Sequence, residues 1–212
     1  MVEDILELLD GKWTDGTRPK DVYKLYVSKS PEAYIEPIVA GLNSEKRKVQ
    51  SGFVILASLL SEDYPAIVYP YIELFLNYLK AKEPVLRWEA VCILGNLASV
   101  DKKNKIPPYV DQIAPFLGDK SIVLQGHTVR ALAKIAKAFP ENAPKILDLL
   151  QNSKKNFPDN RIGFVIEAME LLIPNAELRP KIVSFVEPYT KSTINVVARK
   201  ATKVLKKIEL LT

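Results

Sequence analysis

The stretch "VLRWEAVCILGNLASV", residues 85–100, decides the fold. Leu86, Ala90, Leu94 and Leu97 fall at offsets 0, 4, 8 and 11, the spacing of one helix face. Proline is absent after the first turn and charge is sparse, so a long amphipathic helix is expected. Ala90 and Gly95 interrupt the face with small residues, which suits a close crossing with a second helix. Gly95 alone costs about 1 kcal/mol against alanine inside a helix.

The same offsets recur along the chain. They fall on Lys48, Gly52, Leu56 and Leu59, and on Leu124, Thr128, Leu132 and Ile135. They fall again on Asn160, Phe164, Ala168 and Leu171, and on Val197, Ala201, Leu205 and Ile208. The third members, Leu56, Leu94, Leu132, Ala168 and Leu205, are separated by 38, 38, 36 and 37 residues. Between these segments lie shorter apolar ones with proline at or near the start, such as "PEAYIEPIVAGL", "PPYVDQIAPFL" and "RPKIVSFVEPY". Proline suits a first helical turn, which has no use for its missing N–H. Polar turns ("NSEKR", "KAKEP", "GDKS", "NSKKNFPDN", "YTKST") join the two, and their Ser, Asp, Asn and Thr are suited to capping the helix that follows. No period-2 strand pattern is visible. Each unit therefore reads as a hairpin of a shorter helix A and a longer helix B. Stacked neighbours bury the apolar face that one hairpin leaves wet.

"LRWEAVCILGNL" resembles the second helix of a HEAT repeat, V-R-x-x-A-x-x-x-L-G-x-L. Leu86 and Arg87 stand at its V-R pair, Ala90 at its alanine, and Leu94, Gly95 and Leu97 at L-G-x-L. The resemblance implies an all-α, right-handed superhelix of about five to six HEAT-like hairpins, in the armadillo-type superfamily. Its expected boundaries are 31–62, 63–100, 101–139, 140–174 and 175–212, with 1–30 as a divergent N-terminal cap in a single domain. The arginine position carries Val49, Gln125, Arg161 and Ala198 in the other units, so a regular charge ladder is not expected. Tetratricopeptide repeats are shorter, about 34 residues, and their W-x2-L-G-x2-Y pattern is missing.

Composition narrows the chemistry. Of 212 residues, 48% are hydrophobic and 26% charged, the balance of a soluble globular chain. No stretch reaches the roughly 20 apolar residues of a membrane span. "MVEDILELLD" lacks the basic start and apolar core of a signal peptide, so a cytoplasmic protein is expected. Cys92 is the only cysteine and His127 the only histidine, which leaves no disulfide and no Cys/His metal cluster. No phosphate-binding glycine loop appears. No cofactor, no metal and no catalytic residue are expected.

In HEAT-like stacks the B helices line the concave face, so offsets 3, 6 and 10 mark the candidate partner surface. These are Ser51, Val54 and Ser58; Glu89, Cys92 and Asn96; His127, Arg130 and Lys134; Gly163, Ile166 and Glu170; and Lys200, Lys203 and Lys207. Residues 181–212 hold seven Lys/Arg against two Glu, a surplus equal to the net charge of +5 for the whole chain. The expected function is a non-catalytic scaffold that binds an acidic or mixed protein or peptide segment. The bland account of those cations is a solvated helix face. Leu86, Ala90, Leu94, Leu97, Leu132 and Leu205 are the expected structural positions.

Two alternatives follow. One is a nucleic-acid-binding module. The other is a DNA base-excision enzyme resembling the HEAT-like alkylpurine glycosylases, which work with tryptophans beside a groove carboxylate. Trp13, Trp88, Glu89 and Glu170 are its only candidates, and core or turn packing is the competing role for both tryptophans. The tyrosines of the A segments (Tyr23, Tyr26, Tyr34, Tyr64, Tyr69, Tyr71 and Tyr78) are expected to pack, with their hydroxyls at the surface. "DKKNKIPPYV" and "QNSKKNFPDN" are basic turns that solubility explains and that could fringe a binding edge.

Overall fold

The computed structural model describes residues 4–211, and no β-strand occurs among them. The chain divides into two compact units, Met1–Lys103 and Asn104–Thr212. Asn104, at the boundary, has φ 53°, a left-handed conformation that asparagine tolerates better than most residues.

The first unit contains α1 (Ile5–Asp10), α2 (Pro19–Leu25), α3 (Pro31–Gly41), α4 (Arg47–Asp63), α5 (Pro65–Val68), α6 (Ile72–Tyr78) and α7 (Pro84–Leu97). Helix α4 is its hub, packing against α1, α2, α3 and α7. The helices α1 and α2 contact each other and both pack on α4. Asp4 caps α1, accepting from the Leu6 and Glu7 amides at 3.0 and 3.4 Å. The second unit contains α8 (Val110–Ile113), α9 (Ile122–Ala138), α10 (Ala143–Asn152), α11 (Gly163–Ala168), α12 (Arg179–Val186) and α13 (Asn195–Glu209). There α9 packs on α10 and α11, and α11 on α13.

Prolines set the contrast between the two helices of each hairpin. The B helices α4, α7, α9 and α13 run 17, 14, 17 and 15 residues. Three of the A segments carry a proline past their start and are broken there, whereas α3 runs through Pro37 unbroken. Tyr69–Tyr71, Ala114–Gly118 and Glu187–Lys191 are 3-10 stretches built around Pro70, Pro115 and Pro188. Each such proline deletes one backbone donor and crowds the preceding turn, and the tighter 3-10 winding absorbs the loss. Turn residues cap fewer B helices than the sequence suggests. Ser121 accepts from the Leu124 amide at 3.3 Å, whereas α4, α7 and α13 start without a side-chain cap.

The buried stripe of α7 is the one expected. Leu86 is 6% exposed, and Ala90, Leu94 and Leu97 are fully buried, as is Leu132 in α9. Elsewhere the stripe moves. Lys48 is exposed and Val49 takes its place, while Leu60 is buried where Leu59 is only half-buried. In α13 the buried set is Val197, Ala201, Val204 and Ile208, and Leu205 is half-buried, so its assignment as a core position is corrected to Val204. The largest shift is at α11. Asn160 is exposed and Phe164 and Leu171 are half-buried; Ala168 is buried as expected, and Ile162, Val165, Ile166, Met169 and Leu172 complete the core. Pro158 delays the start of this helix, and after six residues it tightens into a 3-10 turn, which rotates the stripe. Val54 and Ile166, expected on the outward face, are fully buried, and Gly163 is buried as well.

Small residues sit where chains cross. A Cβ on Gly41 would run into the Phe53 ring. One on Gly52, which shares the offset of Ala90, would lie 3.0 Å from Leu9 Cδ2 and 3.2 Å from the Trp13 ring. Two outcomes are expected in urea denaturation. Leu94→Ala lowers the unfolding free energy by about 2–5 kcal/mol. Gly41→Ala destabilises by about 1–3 kcal/mol through overpacking, despite its better helix propensity.

Candidate interaction face

In the first unit the outward row of α7 is neither core nor freely solvated. Glu89, Cys92 and Asn96 are all half-buried. Helix α4 packs alongside α7. Asn96 Nδ2 donates to Ser61 Oγ at 2.8 Å, and Ser61 Oγ donates to the Ser58 carbonyl at 2.7 Å. Ser61 is fully buried, so this bond satisfies a hydroxyl that has lost its water. The Ser58 and Trp88 side chains lie close enough to the Glu89 carboxylate to favour its charged form. Burial pushes its carboxyl above the ordinary range, and those two side chains only partly offset the rise. A polar seam thus runs between α4 and α7, with the half-buried Trp88 beside it.

In the second unit α9 presents His127, Arg130 and Lys134. Arg130 is exposed, and the other two are half-buried. Burial lowers the His127 pKa, and the charge of Arg130 lowers it further. The lysines of α13 are in a different state. Lys200 Nζ lies 2.6 Å from Glu167 Oε2 and 5.5 Å from the centre of the Phe164 ring. Lys203 Nζ lies 3.0 Å from Glu170 Oε1, and Lys207 pairs with Glu170 Oε2. The expected basic strip is therefore an inter-helix seam in which two carboxylates of the preceding hairpin take up three cations. Its surplus is correspondingly smaller than the sequence count.

The same pairing defines Glu170. Burial raises its pKa, but hydrogen bonds and charge from Lys207 and Lys203 outweigh this and hold the carboxyl below its ordinary value. It is a fixed anion with its ligands already in place. Trp13 is accounted for by packing. Its indole Nε1 donates to the Leu9 carbonyl at 3.0 Å, its ring lies against Gly52, and Lys48 Nζ sits 5.3 Å from the ring centre. Among the described residues no group of three or more His, Cys, Asp or Glu is placed to hold a metal. Nor is any described helix long and apolar enough to cross a membrane.

The A side carries interactions the sequence reading missed. The tyrosine hydroxyls do not simply reach the surface; they tie successive segments together. Tyr69 donates to Asp101 at 2.6 Å, Tyr23 to Asp63, and Tyr71 to Glu36. Tyr78 and Tyr64 donate to the Leu42 and Ser28 carbonyls at 3.2 and 3.3 Å. Burial, then the bond to Asp101, pushes the Tyr69 hydroxyl up to about 12. Partners lie 32 to 40 residues apart, close to one repeat, and that spacing was the available signal. A trace of the arginine ladder also persists in the second unit, where Arg161 Nη1 donates to Gln125 Oε1 at 3.3 Å.

No protein-family model matches the sequence, and no curated protein matches it. Solved structures do. A designed armadillo repeat protein aligns with a TM-score of 0.69 at 15% identity, covering 98% of this chain and 100% of its own. An engineered protein from the Northeast Structural Genomics Consortium aligns with a TM-score of 0.63 at 17% identity, covering 98% and 97%. At these identities the likeness is one of fold: the chain is an all-α helical-repeat solenoid of the armadillo/HEAT-like kind.

The two carboxylates give opposite pH signatures. Glu170 has a depressed pKa in the fold, so its stabilisation is present above the unfolded carboxylate pKa and lost as pH falls through the folded one. Glu89 has a raised pKa, so ionising it costs stability near neutrality, and the cost fades as pH falls toward the unfolded value. In urea titrations, Glu170→Gln is expected to be less stable than the parent at pH 7, with the gap closing in acid. Glu89→Gln is expected to match or exceed the parent at pH 7 and to lose that advantage in acid.

Proposed function

We propose that the protein is a non-catalytic scaffold that binds a protein or peptide segment through the outward row of its B helices. Glu89, Cys92 and Asn96 serve in the first unit; His127, Arg130 and Lys134 serve in the second. The observation that supports this reading best is the state of the α7 row. Solubility alone calls for exposed charges at such positions, yet Glu89, Cys92 and Asn96 are half-buried, and Asn96 is hydrogen-bonded to the buried Ser61 of α4. Pre-positioned donors and acceptors beside a tryptophan face suit recognition of a peptide backbone, since little rotamer freedom remains to be lost on binding.

The non-catalytic part of the reading is supported by Glu170, whose carboxylate is already saturated by two ammonium groups. The nucleic-acid alternative is weakened by the pairing of Lys200, Lys203 and Lys207, because phosphate binding draws on cations free to release counterions. The partner is taken to be acidic or mixed, matching Arg130 and Lys134. A cytoplasmic location belongs to the same reading and suits a chain whose one cysteine has no disulfide partner within it.

The test is affinity capture from native lysate with and without nuclease, using the parent chain and the Arg130→Glu/Lys134→Glu variant. A discrete protein should survive nuclease and be lost from the variant, with the thermal midpoint unchanged. Recovery of nucleic acid, with bound proteins released by nuclease, would replace this reading with the nucleic-acid one. Capture that the double reversal leaves intact would remove α9 from the binding face.

A further inference from the structure

On the A side of the second unit, the "QNSKKNFPDN" turn folds over a recess of about 390 Å³. The recess has an apolar floor, Phe157 and Ile162, and a polar wall of Gln151, Asn152, Lys154 and Lys155. Tyr189, from the 3-10 stretch after α12, closes the far side. Its ring packs on Phe185 with centroids 5.7 Å apart, and Lys154 Nζ stands 5.4 Å from its centre.

Two features mark this recess. The first is charge. Several lysines of the unit are taken up by carboxylates: Lys145 by Asp111 at 2.7 Å, Lys181 by Asp148 at 3.2 Å, and Lys200, Lys203 and Lys207 of α13 by Glu167 and Glu170. Lys154 and Lys155 make no ion pair among the described residues, although Asp159 stands at the rim of the same recess. The second is Tyr189. Its hydroxyl oxygen is sealed from solvent, and no acceptor for it exists among the described residues. A buried hydroxyl without a partner costs free energy that folding gains nothing from. The dipole at the end of α10 explains why cations collect there. It does not explain an orphaned donor beside them.

We infer that this recess is a binding site for an organic oxyanion, a phosphate or carboxylate group on a small apolar body. Lys154 and Lys155 supply the charge. The Tyr189 hydroxyl gains the acceptor it lacks, and Phe157 and Ile162 hold the apolar part. The volume lies near the lower end of the range of about 300–1,000 Å³ for small-molecule pockets, which favours a compact ligand or a single side chain. Lys154 is exposed and lies over the tyrosine ring, so a ligand reaches the sealed hydroxyl only through a side-chain rearrangement of the recess wall. Asp159 opposes an anion, which gives the site a sign that can be checked.

The experiment is a two-dimensional amide NMR titration of the full chain with phenyl phosphate, benzoate and neutral benzyl alcohol. Saturable shifts confined to residues 151–162 and 185–191 are expected from the anions alone. Preference for phenyl phosphate points to a phosphorylated ligand, and equal binding of benzoate points to carboxylates. Lys154→Ala/Lys155→Ala should weaken binding by about tenfold or more, the scale of one charge-assisted hydrogen bond. Asp159→Asn should tighten it. Tyr189→Phe is the discriminating variant: it should weaken binding while keeping or raising the thermal midpoint, because it removes an unsatisfied hydroxyl. Equal shifts from benzyl alcohol, no saturable shift from either anion, or affinity indifferent to the lysine pair and to Tyr189→Phe would each overturn the proposal.

Discussion

No hairpin of this chain can bury its own apolar face, and the rest of the structure follows from that constraint. Helix α4 illustrates it. Its stripe from Val49 to Leu60 is wide enough to be met from several directions, by α1, α2 and α3 on one flank and α7 on the other. Remove any of these and fully buried side chains such as Phe53 and Leu56 meet water, at about 25 cal/mol per Å² of apolar surface. The small residues answer the same demand. Gly41 accommodates the Phe53 ring, and Gly52 accommodates Leu9 and Trp13, so the helix propensity given up is returned as close packing.

Polar contacts between neighbouring hairpins are secondary in energy but decisive for what the surface can offer. The Lys200–Glu167 and Lys203–Glu170 pairs are partly buried, so desolvation offsets much of their attraction, and they are not the main tie of α13 to α11. That work is done by Val197, Ala201, Val204 and Ile208. What the pairs change is availability, because a lysine engaged by a neighbouring carboxylate is a poorer ligand for anything else. The same holds for the tyrosine hydroxyls engaged by Asp63, Asp101 and Glu36 in the first unit. Arg130 on α9, and Lys154 and Lys155 beside Tyr189, are among the cations that this internal pairing leaves available to a charged ligand.

How far the sequence could be read depends on how regular each helix is. The α7 stripe was legible because fourteen uninterrupted helical residues keep strict 3.6 periodicity. The α11 stripe was not, because Pro158 and a 3-10 turn shift the phase within a few residues, and a template carried over from α7 then falls on Asn160 and Leu171. Leu205 failed more gently. In α13 the third buried residue comes at offset 7 rather than 8, and both offsets lie near the same helix face. The identity of the outward residues at Glu89, Cys92, Asn96, Arg130 and Lys134 was legible; their state was not. Whether a lysine is free or paired depends on what sits one repeat earlier on an adjacent helix, and a single periodic stripe carries no such information.

The seam between α4 and α7 and the recess beside Tyr189 differ in how each settles its buried polar groups. In the seam the groups satisfy one another, from Asn96 through Ser61 to the Ser58 carbonyl, so a partner there reads a finished, rigid pattern and pays little to order it. In the recess a donor is left over, with cations beside it and no ion pair to occupy them. A partner there would complete a site rather than read one. Satisfied networks favour shape and backbone recognition, whereas an unsatisfied donor beside free charge favours one chemical group. The two faces therefore call for ligands of different kinds, and a repeat fold can carry both because its A and B helices present separate surfaces to solvent.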